Sequence, residues 1–286
     1  MLRIAIQSNG RLYHECLKLL EQVGVTLTIR ENSSPVLIRS NNFPAEVLFI
    51  EKDRIPTFVM KGKVDLGIVS EYLAADNNVP ESCIIRRLGF DRCSLSLAVP
   101  QGIKYKGLEW FIGKTIATPY PEATQNFFKS NNIRANAVLM RQQAASAPKV
   151  GLADAVCDRV DSGTTIRNHG MKVVATAMQS EACLMVAPNL SPQKQMILDE
   201  FLQRFEATQN AQNKFYAIMN VPNAKVDDVI AILPEKQQPS ILKTVGKQTS
   251  AIHTFIDERR FWDIIDRLKQ LGATDIVLTQ VSKIVY

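Results

Sequence analysis

The amino-acid sequence predicts an α/β protein with two lobes around a cleft, followed by a smaller ferredoxin-like domain. Over the first two thirds of the chain, short apolar segments alternate with amphipathic ones, as in sheets covered by helices on both faces. A second run of this pattern begins near Leu95, and Ala182–Val186 then returns a strand to the first run. From about Lys214 the order becomes β-α-β-β-α-β, which is typical of a ferredoxin-like domain.

The elements of the first lobe follow from periodicity. Glu15–Val23 carries apolar residues at helical spacing, and Val64–Val69 is apolar except for Asp65, as in a buried parallel strand. A helix across Pro56–Met60 places its proline in the first turn, where proline is tolerated. The remaining strands are predicted at Leu2–Ile6 and Val47–Ile50.

The second lobe and the C-terminal domain are predicted in the same way. Ala153–Val156 begins either a helix or a strand, and Pro192–Glu206 has the spacing of an amphipathic helix. Second-lobe elements are expected at Leu95–Val99, Thr115–Ala117, Glu122–Ser130 (helix) and Ala137–Leu139. C-terminal elements are expected at Phe215–Asn220, Val226–Leu233 (helix), Ser240–Val245, Ala251–Ile256, Phe261–Leu271 (helix) and Asp275–Val281.

Composition narrows the class of protein. The net charge of +6 suits anionic partners, but the sequence has no Lys/Arg run interleaved with aromatic residues that would indicate a nucleic-acid partner. No apolar segment approaches the roughly 20 residues of a membrane span, and the start of the chain lacks the pattern of a signal peptide. Five scattered cysteines in apolar surroundings indicate reduced thiols. We therefore expect a cytoplasmic protein with no membrane partner.

The stretch from Gly151 to Met171 carries the most chemistry. Two acids, Asp154 and Asp158, precede the polar turn Ser162-Gly163-Thr164-Thr165. Such a turn offers successive backbone N–H groups and three hydroxyls to one point, which suits a phosphate, and acids upstream suit sugar hydroxyls or a magnesium–pyrophosphate group. On the pattern alone, such a run is more often an ordinary strand followed by a turn than an anion site.

The same stretch, G-L-A-D-A-V-C-D-R-V-D-S-G-T-T-I, closely resembles the signature of the ATP phosphoribosyltransferases, which open histidine biosynthesis. The likeness continues along almost the whole chain, in the segments Ile6–Leu12, Ile55–Val69, Arg87–Pro100, Gly113–Pro121, Phe261–Ala273 and Lys283–Val285. The last two resemble the tail of the long form of the family. The resemblance implies transfer of phosphoribose to N1 of the ATP adenine, with release of pyrophosphate.

The resemblance also implies an architecture and partners. The core would resemble periplasmic binding proteins, with one lobe at 1–92 plus 179–208, a second lobe at 93–178, and a regulatory domain of the ACT type at 212–286. The implied ligands are ATP, phosphoribosyl pyrophosphate, Mg²⁺ and the inhibitor histidine. The implied assembly is a hexamer that exchanges with dimers.

Site residues follow by matching motifs. Asp154, Asp158, Ser162, Gly163, Thr164 and Thr165 would bind phosphoribosyl pyrophosphate; Arg11, Glu71 and Tyr120 would bind ATP; Leu233, His253 and Thr254 would bind histidine. From the residues alone, the preferred interpretations are a solvated arginine at a helix start for Arg11 and the packing of a turn for Tyr120. No covalent nucleophile is required, so no catalytic residue is assigned.

The chain departs from the family pattern where substrates should bind. Ser8 and Asn9 stand where many relatives carry a lysine, and Glu51 and Arg54 reverse the usual charges. Ser70 replaces a glycine with a residue that tolerates positive φ poorly, so a strained left-handed conformation is expected there. Ala145 stands where relatives carry a glutamate expected to meet the ribose. A catalytically weakened relative that acts as a nucleotide- or phosphate-binding protein or as a regulatory protein is therefore the alternative hypothesis. A solute-binding protein is a third, disfavoured by the missing export signal.

Overall fold

The computed structural model describes residues 1–30, 36–142, 144–233, 239–243 and 248–286. The chain divides into two compact units, Met1–Leu198 and Asp199–Tyr286. None of the helices in the described ranges is long and apolar enough to cross a membrane. The five cysteines all fall within these ranges and are buried free thiols.

The first unit contains two sheets and the helices that cover them. Its strands are β1 (Leu2–Gln7), β2 (Leu37–Arg39), β3 (Ala45–Ile50), β4 (Leu66–Ser70), β5 (Ile84–Arg87), β6 (Cys93–Pro100), β7 (Thr115–Thr118), β8 (Asn136–Leu139), β9 (Ala155–Val160), β10 (Met171–Ser180) and β11 (Ala182–Val186). Its helices are α1 (Arg11–Gln22), α2 (Ile55–Met60), α3 (Glu71–Asp76), α4 (Pro121–Ser130) and α5 (Thr164–Asn168), and α6 (Pro192–Ala211) contains the boundary between the units.

The first sheet has the strand order β2-β3-β1-β4-β11-β5. Strand β1 pairs in parallel with β3 and β4, as the apolar segments predicted. Strand β11 pairs antiparallel with both β4 and β5, so the predicted return strand inserts into the sheet rather than at its edge. We call the lobe built on this sheet lobe I.

The second sheet has the order β10-β6-β9-β7-β8, and we call its lobe lobe II. Residues 155–160 form a strand, which settles the alternative left open by the sequence. The ten-residue β10 was not predicted. Its pairing with β6 shifts register between Val173 and Ala175 and again between Thr176 and Met178, and such bulges interrupt the alternation that identifies a strand.

The lobes are joined by a contact outside the sheets. The Asp76 carboxylate, at the end of α3 in lobe I, accepts hydrogen bonds from the backbone N–H groups of Glu122 (2.9 Å) and Ala123 (3.1 Å). These groups belong to the first turn of α4 in lobe II, where backbone donors lack helical partners. Asp76 therefore caps a helix of the opposite lobe.

Replacing Gly67 with alanine is expected to lower the free energy of unfolding by about 1–3 kcal/mol through overpacking. A Cβ at this position of β4 would lie 2.6 Å from Ile55 Cγ2 and 2.7 Å from Val59 Cγ2, and both side chains are stiff because they branch at Cβ. Denaturant titration measures the effect. Gly102→Ala is the control, because a Cβ there meets nothing within 4 Å; equal losses in the two variants would contradict the packing argument.

The second unit confirms the predicted ferredoxin-like domain. Its elements are β12 (Lys214–Pro222), α7 (Val226–Ile232), β13 (Ser240–Lys243), β14 (Thr249–Asp257), α8 (Glu258–Gln270) and β15 (Thr274–Gln280). The strand order is β13-β14-β12-β15, with antiparallel neighbours. The end of the strand predicted at Ser240–Val245 lies outside the described residues. Alternate residues of β12 and β14 are buried in one core cluster that includes α8.

Candidate functional site

The polar turn of lobe II follows β9 directly. Gly163 adopts the left-handed conformation, with φ 73° and ψ 5°, and α5 begins at the next residue. The hydroxyls of Ser162 and Thr164 lie 2.9 Å apart, and Arg167 Nη2 donates to the Ser162 carbonyl oxygen at 3.0 Å and to Thr164 Oγ1 at 3.3 Å. Ser162, Thr164 and Thr165 are exposed. The turn is therefore accessible, and it has a cationic side chain beside its hydroxyls that the sequence analysis missed.

A cavity of about 500 Å³ is connected to this turn through two of its lining residues, Arg11 and Arg159, which both contact Asp161, the residue before Ser162. Its lining includes Arg11 and Asp53 from lobe I and Arg159 from lobe II, together with Ser8 and Asn9. Most of its lining side chains are polar or charged, as expected for a site that receives a charged ligand rather than an apolar one.

Arg11 occupies the lobe I side of this cavity. Its guanidinium donates to Asp91 Oδ1 at 2.9 Å and reaches Asp161 Oδ2, in lobe II, at 3.2 Å. The hydrogen bond to Asp91 is the largest contribution that raises the pKa of Arg11. Arg159 Nη2 also lies 3.0 Å from Asp91 Oδ1 and 3.1 Å from Asp161 Oδ1. The sequence analysis did not single out Asp91, Arg159 or Asp161.

The two predicted acids of the motif lie at different places. Asp158 lies within β9, half-buried, and accepts the Arg159 N–H at 2.7 Å; burial raises the pKa of its carboxyl. Asp154 precedes β9, whereas Asp161 follows it. At the rise per residue of a β-strand, the two residues lie about 20 Å apart. Its carboxylate accepts the Thr115 N–H at 2.9 Å, which lowers its pKa, and pairs with Lys114 at 3.1 Å. Asp154 thus joins β7 to β9.

The residues predicted to bind ATP differ in their surroundings. Glu71 is buried at the start of α3, where it accepts hydrogen bonds from Arg87 Nε at 2.7 Å and from the Glu181 N–H at 3.2 Å. Tyr120 is 7% exposed and packs against Tyr72 with ring centroids 4.7 Å apart; burial raises the pKa of its hydroxyl. Tyr72, which the sequence analysis did not name, lines the cavity. Contacts of Glu71 and Tyr120 with ATP stay predictions.

The residues predicted to bind histidine lie in the second unit. Thr254 and Leu233 are buried, whereas His253 is half-buried. Consecutive residues of a strand point to opposite faces, so His253 and Thr254 lie on opposite faces of the sheet. His253 Nδ1 lies 2.9 Å from the hydroxyl of Tyr216 on the neighbouring strand. The structure therefore does not bring these three residues together on one face.

Comparison with known proteins decides the family. Residues 51–207 match the family model described as ATP phosphoribosyltransferase, and residues 211–283 match the one described as HisG, C-terminal domain. Curated ATP phosphoribosyltransferases from Bacteroides fragilis and Bacteroides thetaiotaomicron are 43% and 41% identical over 285 residues, covering 100% of both chains in each comparison. The chain belongs to the ATP phosphoribosyltransferase family.

A solved structure agrees in fold with this family member. A chain of the ATP phosphoribosyl transferase (HisG:HisZ) complex from Thermotoga maritima superposes with a TM-score of 0.60 at 21% identity. The match covers 72% of this ATP phosphoribosyltransferase chain and 96% of that chain. The family models and the curated relatives confirm the resemblance to the ATP phosphoribosyltransferases, which open histidine biosynthesis, and the solved structure confirms the fold class.

The departures from the family pattern can now be placed in this ATP phosphoribosyltransferase. The prediction that Ser70 would strain a left-handed position is wrong, because its φ is −73°, an extended conformation open to any residue. Glu51 and Arg54 pair with each other at 3.5 Å on the surface, so the two charge reversals preserve a local ion pair. Ala145 is buried, in a 3-10 segment at Ala144–Val150.

Proposed function

We propose that the cleft between the two lobes binds phosphoribosyl pyrophosphate and ATP in the roles that the motifs imply. The observation that carries this proposal is a cavity lined by two arginines, Arg11 and Arg159, which both contact Asp161, the residue immediately before the accessible Ser162–Thr165 turn. Successive backbone N–H groups after a left-handed glycine form an anion-binding concavity. The turn would hold the 5′-phosphate, and the cavity would hold the more highly charged groups.

In the proposed reaction, N1 of the adenine forms a bond to C1 of the ribose while the bond from C1 to pyrophosphate breaks. The electron pair of that bond leaves on pyrophosphate, and positive charge develops on the ribose. The chain's own residues would contribute by holding two anionic substrates in line and excluding water. Asp158, four residues before Ser162, is the proposed acid beside the ribose, while the described contacts of Asp154 favour a structural role.

We propose Mg²⁺ as the metal that enters with the substrate. Within the described ranges, no group of three or more His, Cys, Asp or Glu residues is placed to hold a metal ion by itself. Mg²⁺ commonly binds through one or two carboxylates together with substrate phosphates and water. Asp158 is a carboxylate of the motif that fits this partial role. Bound there, the metal would neutralise the charge of the leaving pyrophosphate.

The regulatory and assembly predictions belong to the same proposal. The ferredoxin-like domain, proposed at 212–286, would bind histidine as inhibitor, and the lobes are proposed at 1–92 plus 179–208 and at 93–178. A hexamer that exchanges with dimers and a cytoplasmic location stay predictions. The match of residues 211–283 to the family's own C-terminal domain supports the presence of the regulatory part.

The test is an assay with the full chain, ATP, phosphoribosyl pyrophosphate and Mg²⁺, in which the absorbance of the product is followed. We expect turnover that falls when histidine is added. Chelation of the metal should abolish turnover. Calorimetry with phosphoribosyl pyrophosphate runs in parallel. Binding without turnover would contradict the proposed reaction in favour of a catalytically weakened relative, and turnover insensitive to histidine would contradict only the regulatory part.

A further inference from the structure

Four charged side chains form a closed cluster where the two lobes meet. Arg11 and Arg159 each contact both Asp91 and Asp161, at distances between 2.9 and 3.2 Å. Arg11 and Asp91 belong to lobe I. Arg159 lies near the end of β9 in lobe II, and Asp161 follows that strand. Three of the four line the cavity of the candidate site. We call this set the arginine–aspartate cluster.

The two carboxylates of the cluster are held very differently. The Asp91 side chain is 6% exposed, and its Oδ2 accepts a further hydrogen bond from Ser70 Oγ at 2.5 Å. The Asp161 side chain is 41% exposed and presents one oxygen to each arginine, at 3.2 and 3.1 Å. A partly exposed ion pair is weak and screened by salt, whereas a buried, hydrogen-bonded carboxylate is not easily moved. Asp161 is therefore the member that a competing anion can displace.

Arg159 has unused hydrogen-bonding capacity. Its Nε is buried and has no hydrogen-bond partner among the described residues. Burial alone would lower the pKa of Arg159, but the Cys93 side chain and the Asp91 carboxylate raise it, so the guanidinium keeps its charge. A buried donor without a partner is rare in folded proteins, and here it belongs to a side chain that lines the cavity.

The geometry points to Asp161 as an internal anion that occupies the place of the substrate's pyrophosphate on Arg11 and Arg159. This inference rests on the proposed function and deepens it, because it names Arg159 as the second guanidinium for pyrophosphate and Asp161 as its competitor. The Asp161 carboxylate bridges the two guanidiniums and gives one oxygen to each. Two neighbouring oxygens of a phosphoryl group would bind the same two guanidiniums in the same way. When pyrophosphate displaces Asp161, the cluster passes from zero net charge to +1 and receives the anion.

The displacement would also reach the phosphate turn. Asp161 immediately precedes Ser162, so the ion pair between Asp161 and Arg11 ties the turn of lobe II to helix α1 of lobe I. Release of Asp161 frees this end of the turn as pyrophosphate binds. The two ends of phosphoribosyl pyrophosphate would therefore bind in a coupled manner, with the pyrophosphate on the cluster and the 5′-phosphate on the turn.

Calorimetric titration of the full chain with inorganic pyrophosphate and Mg²⁺ tests the inference without requiring turnover. Asp161→Asn should bind pyrophosphate about fivefold or more tightly than the unchanged chain, since the internal competitor is lost. Arg159→Gln should bind it about tenfold or more weakly. In the double variant, Asp161→Asn should bring little gain, because its effect acts through Arg159.

Asp53→Asn is the matched control. Asp53 also lines the cavity and also pairs with an arginine of the opposite lobe, Arg141, at 2.8 Å, but it does not belong to the cluster. Equal tightening by Asp53→Asn and Asp161→Asn would overturn the inference, since it would reflect only the removal of negative charge. Unchanged or weaker binding by Asp161→Asn would also overturn it. If Arg159→Gln fails to fold, as judged by circular dichroism, the comparison of the two aspartate variants still decides.

A chain that binds pyrophosphate as described but transfers no phosphoribose would contradict the proposed reaction and leave this inference standing. Normal turnover by the unchanged chain, together with no tighter binding of pyrophosphate by Asp161→Asn, would contradict this inference and leave the proposed reaction standing. The two proposals therefore fail separately.

Discussion

Ala145→Glu is expected to raise kcat/KM for phosphoribosyl transfer by about 10²- to 10⁴-fold. By resemblance, the family's glutamate at this position accepts hydrogen bonds from two ribose hydroxyls, and each bond to a charged group contributes about 1.5–3 kcal/mol. Bonds that tighten in the transition state appear directly in the rate. Ala145 is 6% exposed, so the new carboxylate would lie in a partly dehydrated place where such bonds are strong. Steady-state kinetics with both substrates measures the effect.

Ala145→Gln is the matched control for this gain. The amide has nearly the same size as the carboxylate but carries no charge, so it should recover little of the rate. Thermal melting of both variants shows whether the larger side chain disturbs the 3-10 segment at Ala144–Val150. Equal rates for the glutamate and glutamine variants, both folded, would contradict the proposed role of a carboxylate at this position.

Gly163→Val is expected to weaken the binding of phosphoribosyl pyrophosphate by about 10- to 100-fold, the loss of one hydrogen bond to a charged group. Gly163 has φ 73°, and a branched side chain resists this left-handed conformation by about 1–2 kcal/mol. A Cβ there would also lie 3.0 Å from Nη1 of Arg167, whose Nη2 donates to the turn. The backbone N–H groups would then no longer point together. Calorimetry with phosphoribosyl pyrophosphate measures the loss.

The control for Gly163 lies at the other end of the same short helix. Gly170 has φ 70°, and a Cβ there would meet nothing within 4 Å. Gly170→Val should lose a similar amount of stability through the same backbone strain, while its affinity for phosphoribosyl pyrophosphate stays within about twofold. A comparable loss of affinity in both variants would show that general destabilisation, rather than the shape of the turn, controls binding.

Much of the fold could be predicted because its signals are local. The apolar run at Val64–Val69 predicted β4, and the β-α-β-β-α-β order predicted the C-terminal domain. Strand β10 could not be predicted, because two bulges disturb its alternation. The concern over Ser70 was wrong because a glycine in a family pattern does not by itself prove a positive φ, and here the connection from β4 to α3 stays extended.

The site was predictable only in its contiguous part. The Ser162–Thr165 turn lies in one stretch of sequence, so its residue types identified it. The arginine–aspartate cluster joins residues 80 and 150 positions apart, and no local pattern reports such a contact. Arg159 lies within the motif, between Asp158 and Val160, but no role was predicted for it. The arginine itself was the available signal: a half-buried arginine needs carboxylates around it, so Arg159 predicts acidic partners elsewhere in the chain.

The insertion of β11 between β4 and β5 affects the order in which strands can pair during synthesis of the chain. In the first sheet, β5 pairs with β11. While the ribosome has released only the first half of the chain, β11 is therefore not yet available to β5. Lobe II lies in sequence between these two strands, and all its strands have been released before residue 186 emerges. The sheet of lobe I is therefore completed last in the core, around a lobe II that can already have paired its own strands. During synthesis, β4 and β5 are the exposed edges most in need of protection from pairing with other chains.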